Sequence, residues 1–119
     1  MINISKYNEN NIFAKILRKE IPSECVYEND DVYAFKDINP QAPTHILIIP
    51  KERFCSFSDF CLKADERKVS SLFKVVAKIA ETLNLKDGYR IVSNIGNLGG
   101  QEVPHFHIHL LGGKKLGGI

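Results

Sequence analysis

The run His105-Phe106-His107-Ile108-His109-Leu110-Leu111 alternates imidazole and apolar side chains. A period of two is the signature of a β-strand, whose successive side chains point to opposite faces. Such a strand sends His105, His107 and His109 to one face and buries Phe106, Ile108 and Leu110 on the other. A helix would scatter both sets around its circumference. The chain therefore has to build a sheet with a packed face and an imidazole-bearing face at this point. A polar stripe turned to solvent is the plain alternative, but Lys or Thr would serve that purpose equally well.

The remaining segments predict what surrounds that strand. Residues 11–19 begin with Asn caps and place Ile12, Phe13, Ile16 and Leu17 at helical spacing, with Pro22 closing the helix. Residues 24–28 and 32–36 read as two strands joined by the turn Asn29-Asp30-Asp31. Residues 37–43 form a loop, and 45–49 are almost continuously apolar, which fits a central strand covered on both faces and ended by Pro50. Residues 64–85 are the clearest helix, with Val69, Leu72, Phe73, Val76, Ile79, Ala80 and Leu83 inward and a stop near Asp87-Gly88. A strand over 89–93, a glycine-bearing loop over 94–104 and the histidine strand complete the chain.

These elements lack regular βαβ alternation. They predict an α+β fold: a mainly antiparallel sheet of about five strands with one long and one short helix. No repeat or linker interrupts residues 1–119, which read as a single domain. No second long helix is available for the other sheet face, so a homodimer is expected.

Composition narrows the function. Lys and Arg exceed Asp and Glu by 16 to 14, a net charge of +2, so no nucleic-acid partner is expected. No apolar run reaches the length of a membrane span or a signal peptide, and no membrane partner is expected. Cys25, Cys55 and Cys61 form no C-x-x-C pair and suit a reducing cytoplasm as small hydrophobic residues.

The histidine triplet by itself leaves two chemistries open. Imidazoles at i and i+2 of a strand can share a metal ion. They can equally serve phosphorus chemistry, one as nucleophile and the others as donors to a phosphate. The preceding loop, Asn94-Ile95-Gly96-Asn97-Leu98-Gly99-Gly100-Gln101, favours the second. Its glycines let backbone N–H groups approach an anion, its amides supply neutral donors, and its only nearby carboxylate is Glu102. No Gly-Lys-Ser/Thr follows, so this is not a Walker loop.

The intact H-φ-H-φ-H-φ-φ motif within residues 104–113 resembles the histidine triad (HIT) superfamily. The wider pattern is similar to its Hint branch, the purine nucleoside phosphoramidases. Supporting stretches are Ile12-Phe13-Ala14-Lys15-Ile16, Lys19-Glu20-Ile21-Pro22, Ala34-Phe35-Lys36-Asp37-Ile38 and Pro40-Gln41-Ala42-Pro43-Thr44-His45. Gly88-Tyr89-Arg90 and Gly99-Gly100-Gln101-Glu102 extend the resemblance over about residues 12–113.

The resemblance implies a HIT-like fold pairing into a dimer, purine nucleotide substrates, AMP or GMP as product, and no cofactor or catalytic metal. His107 takes the place of the nucleophile that becomes nucleotidylated, with the His105 carbonyl fixing its tautomer. His109, Asn94 and the backbone of Gly100, Gln101 and Glu102 match phosphate contacts. Asp37 matches the ribose-binding carboxylate and Ile38 a nucleoside contact. Phe13, Ile16, Ile21, Phe35 and Leu47 match the base pocket, and His45 a fourth histidine beside the triad. The implied reaction cleaves the P–N bond of nucleoside phosphoramidates, with acyl-nucleotides as a further substrate class. Dinucleoside polyphosphate hydrolysis, as in the Fhit branch, and nucleotide binding with incidental activity are the alternatives.

Two positions depart from the pattern. Glu102 stands where many eukaryotic members carry Ser near the leaving group, and the tail after Gly113 lacks the Trp-containing ending of animal members. Asn10, Asn11 and Ala14 occupy the stretch where some prokaryotic members place zinc ligands, so no structural zinc is expected.

Overall fold

A computed structural model describes all 119 residues. Its elements run α1 (Ile12–Leu17), β1 (Cys25–Glu28), β2 (Val32–Lys36), β3 (Thr44–Pro50), α2 (Phe57–Lys63), α3 (Glu66–Thr82), β4 (Tyr89–Val92) and β5 (Ile108–Gly112). The strands form one five-stranded sheet in the order β1-β2-β3-β5-β4, with every neighbouring pair antiparallel. The α+β class with a mainly antiparallel sheet is thus as expected.

Side-chain alternation divides the sheet into two working faces. Val32 and Ala34 of β2, Ile46 and Ile48 of β3, and Ile108 and Leu110 of β5 pack with Leu72, Val75, Val76, Ile79 and Ala80 of α3. These α3 positions recur at three- and four-residue steps and form the single apolar stripe that a sheet-packing helix requires. The opposite face carries Phe35, Leu47 and Ile49, against which Phe13 and Ile16 of α1 pack. Because β3 has a helix on each side, it is buried from His45 to Pro50. The register then places His109 directly opposite Leu47 and Phe35 opposite Leu47 on its other flank. The imidazole face and the α1 face are the same face.

Several local expectations need correction. α1 ends at Leu17, before Pro22, because Lys19 turns into the left-handed region at φ 63°. α3 starts after the Asp65 cap and stops at Thr82, and Asn84, at φ 60°, turns the chain ahead of Gly88. Phe73 and Leu83 are exposed, and Val75 takes the inward position. A second short helix, α2, was not anticipated: Ser56 caps it and Phe60 is buried beneath it.

β5 begins at Ile108, so His105 and His107 precede the regular strand. The reason is local. The His105 carbonyl accepts from the His107 ring at 2.7 Å, the Phe106 N–H donates to the Phe54 carbonyl, and the His107 carbonyl accepts from Ser93 Oγ. Backbone groups that a ladder would use are thereby taken by other partners. The alternation of faces still holds, with Phe106 among the α3-side core and the imidazoles on the α1 side.

Candidate active site

A cavity of about 440 Å³ opens on the α1 face of the sheet. That size lies within the range of small-molecule sites. Phe13, Ile16, Ile21, Phe35 and Leu47 form its apolar lining, and Asp37, Ile38, Asn94, Gly100 and Glu102 line it as well. His107 and His109 complete it. The Phe13 ring meets Phe35 edge-on at 5.6 Å and His107 edge-on at 4.9 Å, so the apolar wall runs continuously into the imidazoles. Ile38 is 84% exposed, an apolar side chain for a bound ligand to cover. A larger groove of about 580 Å³ between α3 and the β1–β2 hairpin contains no histidine and is open to solvent.

The protonation state of His107 follows from its partner. Its Nδ1 lies 2.7 Å from the His105 carbonyl, and a carbonyl only accepts, so Nδ1 carries the hydrogen. A neutral imidazole has one N–H, which leaves the lone pair on Nε2. Burial holds the His107 pKa below its ordinary value, opposed by the acceptor carbonyl and the carboxylates of Asp37 and Glu102. At neutral pH, His107 therefore presents an unprotonated nitrogen.

A parallel chain of bonds orients His109. The Gln41 N–H donates to His45 Nδ1 at 3.0 Å, so His45 carries its hydrogen on Nε2. That nitrogen lies 2.9 Å from His109 Nδ1 and donates to it, which places the His109 hydrogen on Nε2. Asp37 Oδ2 stands 3.4 Å from the same His45 nitrogen, while Asp37 Oδ1 accepts from the Asn39 N–H at 2.8 Å. Burial, together with the adjoining His107 and His45, pushes the His109 pKa down to about 4. Burial likewise lowers that of His45, against the pull of Asp37. His107 thus offers a lone pair and His109 an N–H, with ring centres 5.1 Å apart.

Asp37, His45 and His109 also bring potential ligand atoms within 4.8 Å of one another. This is a carboxylate–imidazole grouping that the loop sequence did not announce. The hydrogen bond between the two facing ring nitrogens occupies the positions that a metal would need.

The glycine-bearing loop is held open by its own side chains. Gly96 and Gly100 adopt φ values of 69° and 77°. A Cβ on Gly99 would lie 2.3 Å from the Ile95 carbonyl oxygen. Asn94 Nδ2 donates to the Gly99 carbonyl at 2.8 Å, keeping the Asn94 amide over the cavity.

Three of the expected site residues stand outside the cavity lining. Gln101 is buried, with its oxygen accepting from the Gly96 N–H and its nitrogen donating to the Cys55 and Val103 carbonyls. Its side chain therefore braces the loop and has no donor left for a phosphate. His105 is fully buried behind His107, and His45 lies behind His109. Sequence reading missed Ile12, Pro22, Ser23, Lys36, Asn39 and Val103, which also line the cavity. Pro22 and Lys36 fall within motif stretches already noted, whereas Ser23 and Val103 carried no signal of their own.

A family model described as the HIT domain matches residues 18–116. The purine nucleoside phosphoramidase of Escherichia coli strain K12 is 51% identical over 110 residues, covering 92% of each chain. A histidine triad protein from Clostridium difficile has a TM-score of 0.84 at 42% identity, covering 96% of this chain and 99% of that one. A HIT family hydrolase from Clostridium thermocellum has a TM-score of 0.82 at 41% identity, with 94% and 97% covered.

Proposed function

Because this chain belongs to the histidine triad (HIT) family, we propose that it hydrolyses purine nucleoside 5′-phosphoramidates through a nucleotidyl-His107 intermediate. The observation that carries the reading is the 2.7 Å bond from His107 Nδ1 to the His105 carbonyl, which directs the remaining lone pair toward the cavity. The phosphoramidase name of the Escherichia coli relative supports the P–N bond as the target.

In this reading, the base lies against Phe13, Ile16, Ile21, Phe35 and Leu47. The ribose hydroxyls donate to the Asp37 carboxylate, beside Ile38. His107 Nε2 attacks the α-phosphorus, the P–N bond breaks, and the amine departs with the electron pair and takes up a proton. Water then cleaves the His107–phosphorus bond, releasing the nucleoside monophosphate and the free imidazole. The His109 Nε2–H, the Asn94 amide and the N–H groups near Gly100 steady the non-bridging oxygens in both steps. Since these donors are neutral, the site needs no excess of surface charge. Glu102 on the cavity wall is the carboxyl placed to influence how the leaving group is protonated and which leaving groups are accepted.

β4 is an edge strand, and Tyr89 and Ile91 on it are 44% and 46% exposed. We assign this edge to pairing with a second copy of the chain. Incubation with adenosine 5′-phosphoramidate tests the function. Release of AMP and its loss in His107→Ala are expected, whereas undiminished turnover in that variant contradicts the assignment.

A further inference from the structure

Tyr7 and His105 are far apart in sequence, yet the Tyr7 hydroxyl lies 2.6 Å from His105 Nδ1. His105 Nε2 lies 2.9 Å from the Pro50 carbonyl. The carbonyl can only accept, so the single ring hydrogen of neutral His105 sits on Nε2, and Nδ1 must accept from the phenol. Both ring nitrogens are thereby engaged, and the ring is completely buried. The Tyr7 and His105 rings meet edge-on at 5.6 Å. The backbone carbonyl of this same residue receives the His107 N–H. Tyr7 belongs to the N-terminal segment, whose other end is tied to the glycine-bearing loop. The Ile2 N–H donates to Asn97 Oδ1 at 2.8 Å, and Asn97 Nδ2 donates to the Ile2 carbonyl.

We propose that Tyr7 is a positioning residue, whose hydroxyl pins the His105 ring and so holds the His105 carbonyl where it takes the His107 Nδ1 hydrogen. Removing the hydroxyl leaves a buried acceptor without a donor, and the bond to the Pro50 carbonyl alone then orients the ring. The peptide that carries the carbonyl is then held less closely. Burial raises the Tyr7 pKa, which keeps the phenol protonated as this role requires. The kinetic consequence rests on the hydrolase reading above; the positioning itself does not.

The test is nitrogen NMR of the histidine rings in the whole protein, with kcat and KM for adenosine 5′-phosphoramidate. In the unmodified chain, a phenol proton correlated with His105 Nδ1 is expected; its absence overturns the proposal. In Tyr7→Phe, the His105 Nδ1 signal should move toward that of an unbonded ring nitrogen, and the His107 Nδ1 hydrogen should exchange faster. Turnover should fall about tenfold in kcat with KM within about twofold, the scale of one buried hydrogen bond. A donor-bearing p-aminophenylalanine at position 7 should restore both readouts. A variant that melts at lower temperature while its ring signals and kcat stay unchanged would make Tyr7 a mere staple and overturn the role. Shifted ring signals in a protein with no turnover before substitution would uphold the positioning and overturn the hydrolase reading.

Discussion

His45 Nε2 and His109 Nδ1 face each other at 2.9 Å, joining the start of β3 to the start of β5. The pair converts a backbone N–H at Gln41 into a definite tautomer at His109, through two rings and one shared hydrogen. Replacing His45 by Ala removes the donor, and His109 is then free to carry its hydrogen on Nδ1. A loss of about 10- to 100-fold in kcat is expected, comparable to the loss of other outer partners that orient a functional histidine. His45→Gln, which keeps an N–H donor, should recover part of it. Steady-state kinetics of the two variants decide the point.

The pH profile should follow His107. Its pKa in the folded protein lies below the ordinary 6.5 because of burial, so the neutral nucleophile persists to more acidic pH. The rate kcat/KM should be flat from neutrality upward and fall only below pH 6.5. An acid limb centred above 6.5 would show that the imidazole is not desolvated in this way.

Stability should also weaken in mild acid. His105 has its pKa lowered from 6.5 to about 4, so at intermediate pH the unfolded chain binds a proton that the folded chain does not. Stability is therefore full above about pH 6.5 and declines as pH falls toward 4. By pH 5, His105 alone accounts for about 2 kcal/mol. His45, His107 and His109 act in the same direction. Urea denaturation at pH 7.5 and pH 5 should reveal the loss.

Gln101 offers a test of the loop that is independent of chemistry. Gln101→Ala strips partners from the Gly96 N–H and the Cys55 and Val103 carbonyls. A destabilisation of about 2 kcal/mol is expected where such groups lose their partners away from water. Thermal unfolding should show it. Because the same bonds shape the loop beside Asn94 and Gly100, KM should rise as well.

Much of this arrangement is visible in the residue pattern, wherever a period governs it. The alternation around His107 foretells which side chains enter the core, and β2 and the centre of α3 follow from theirs. α2 escaped because residues 57–63 bury only Phe60, too little for a helical stripe. Phe73 and Leu83 sit on the expected stripe but lie beyond the area that the sheet covers. The early residues of the histidine run lose ladder geometry to the bond between the His107 ring and the His105 carbonyl, which no periodicity encodes. The His45–His109 and Tyr7–His105 pairs depend on strand register and chain path, joining residues that no local pattern connects. Gln101 read as a ligand because a loop amide looks the same whether it faces an anion or its own backbone.

In the proposed reaction, His107 Nε2 forms a covalent bond to phosphorus. The most direct measurement is rapid quenching of the protein with adenosine 5′-phosphoramidate in denaturant at alkaline pH, where a nucleotidyl–imidazole bond persists, followed by mass spectrometry of the peptide containing residues 105–109. The predicted result is one adenylyl group on His107, appearing within a turnover and absent from His107→Ala. Turnover with no adduct at any time, or an adduct carried by His109 or His45, would contradict it.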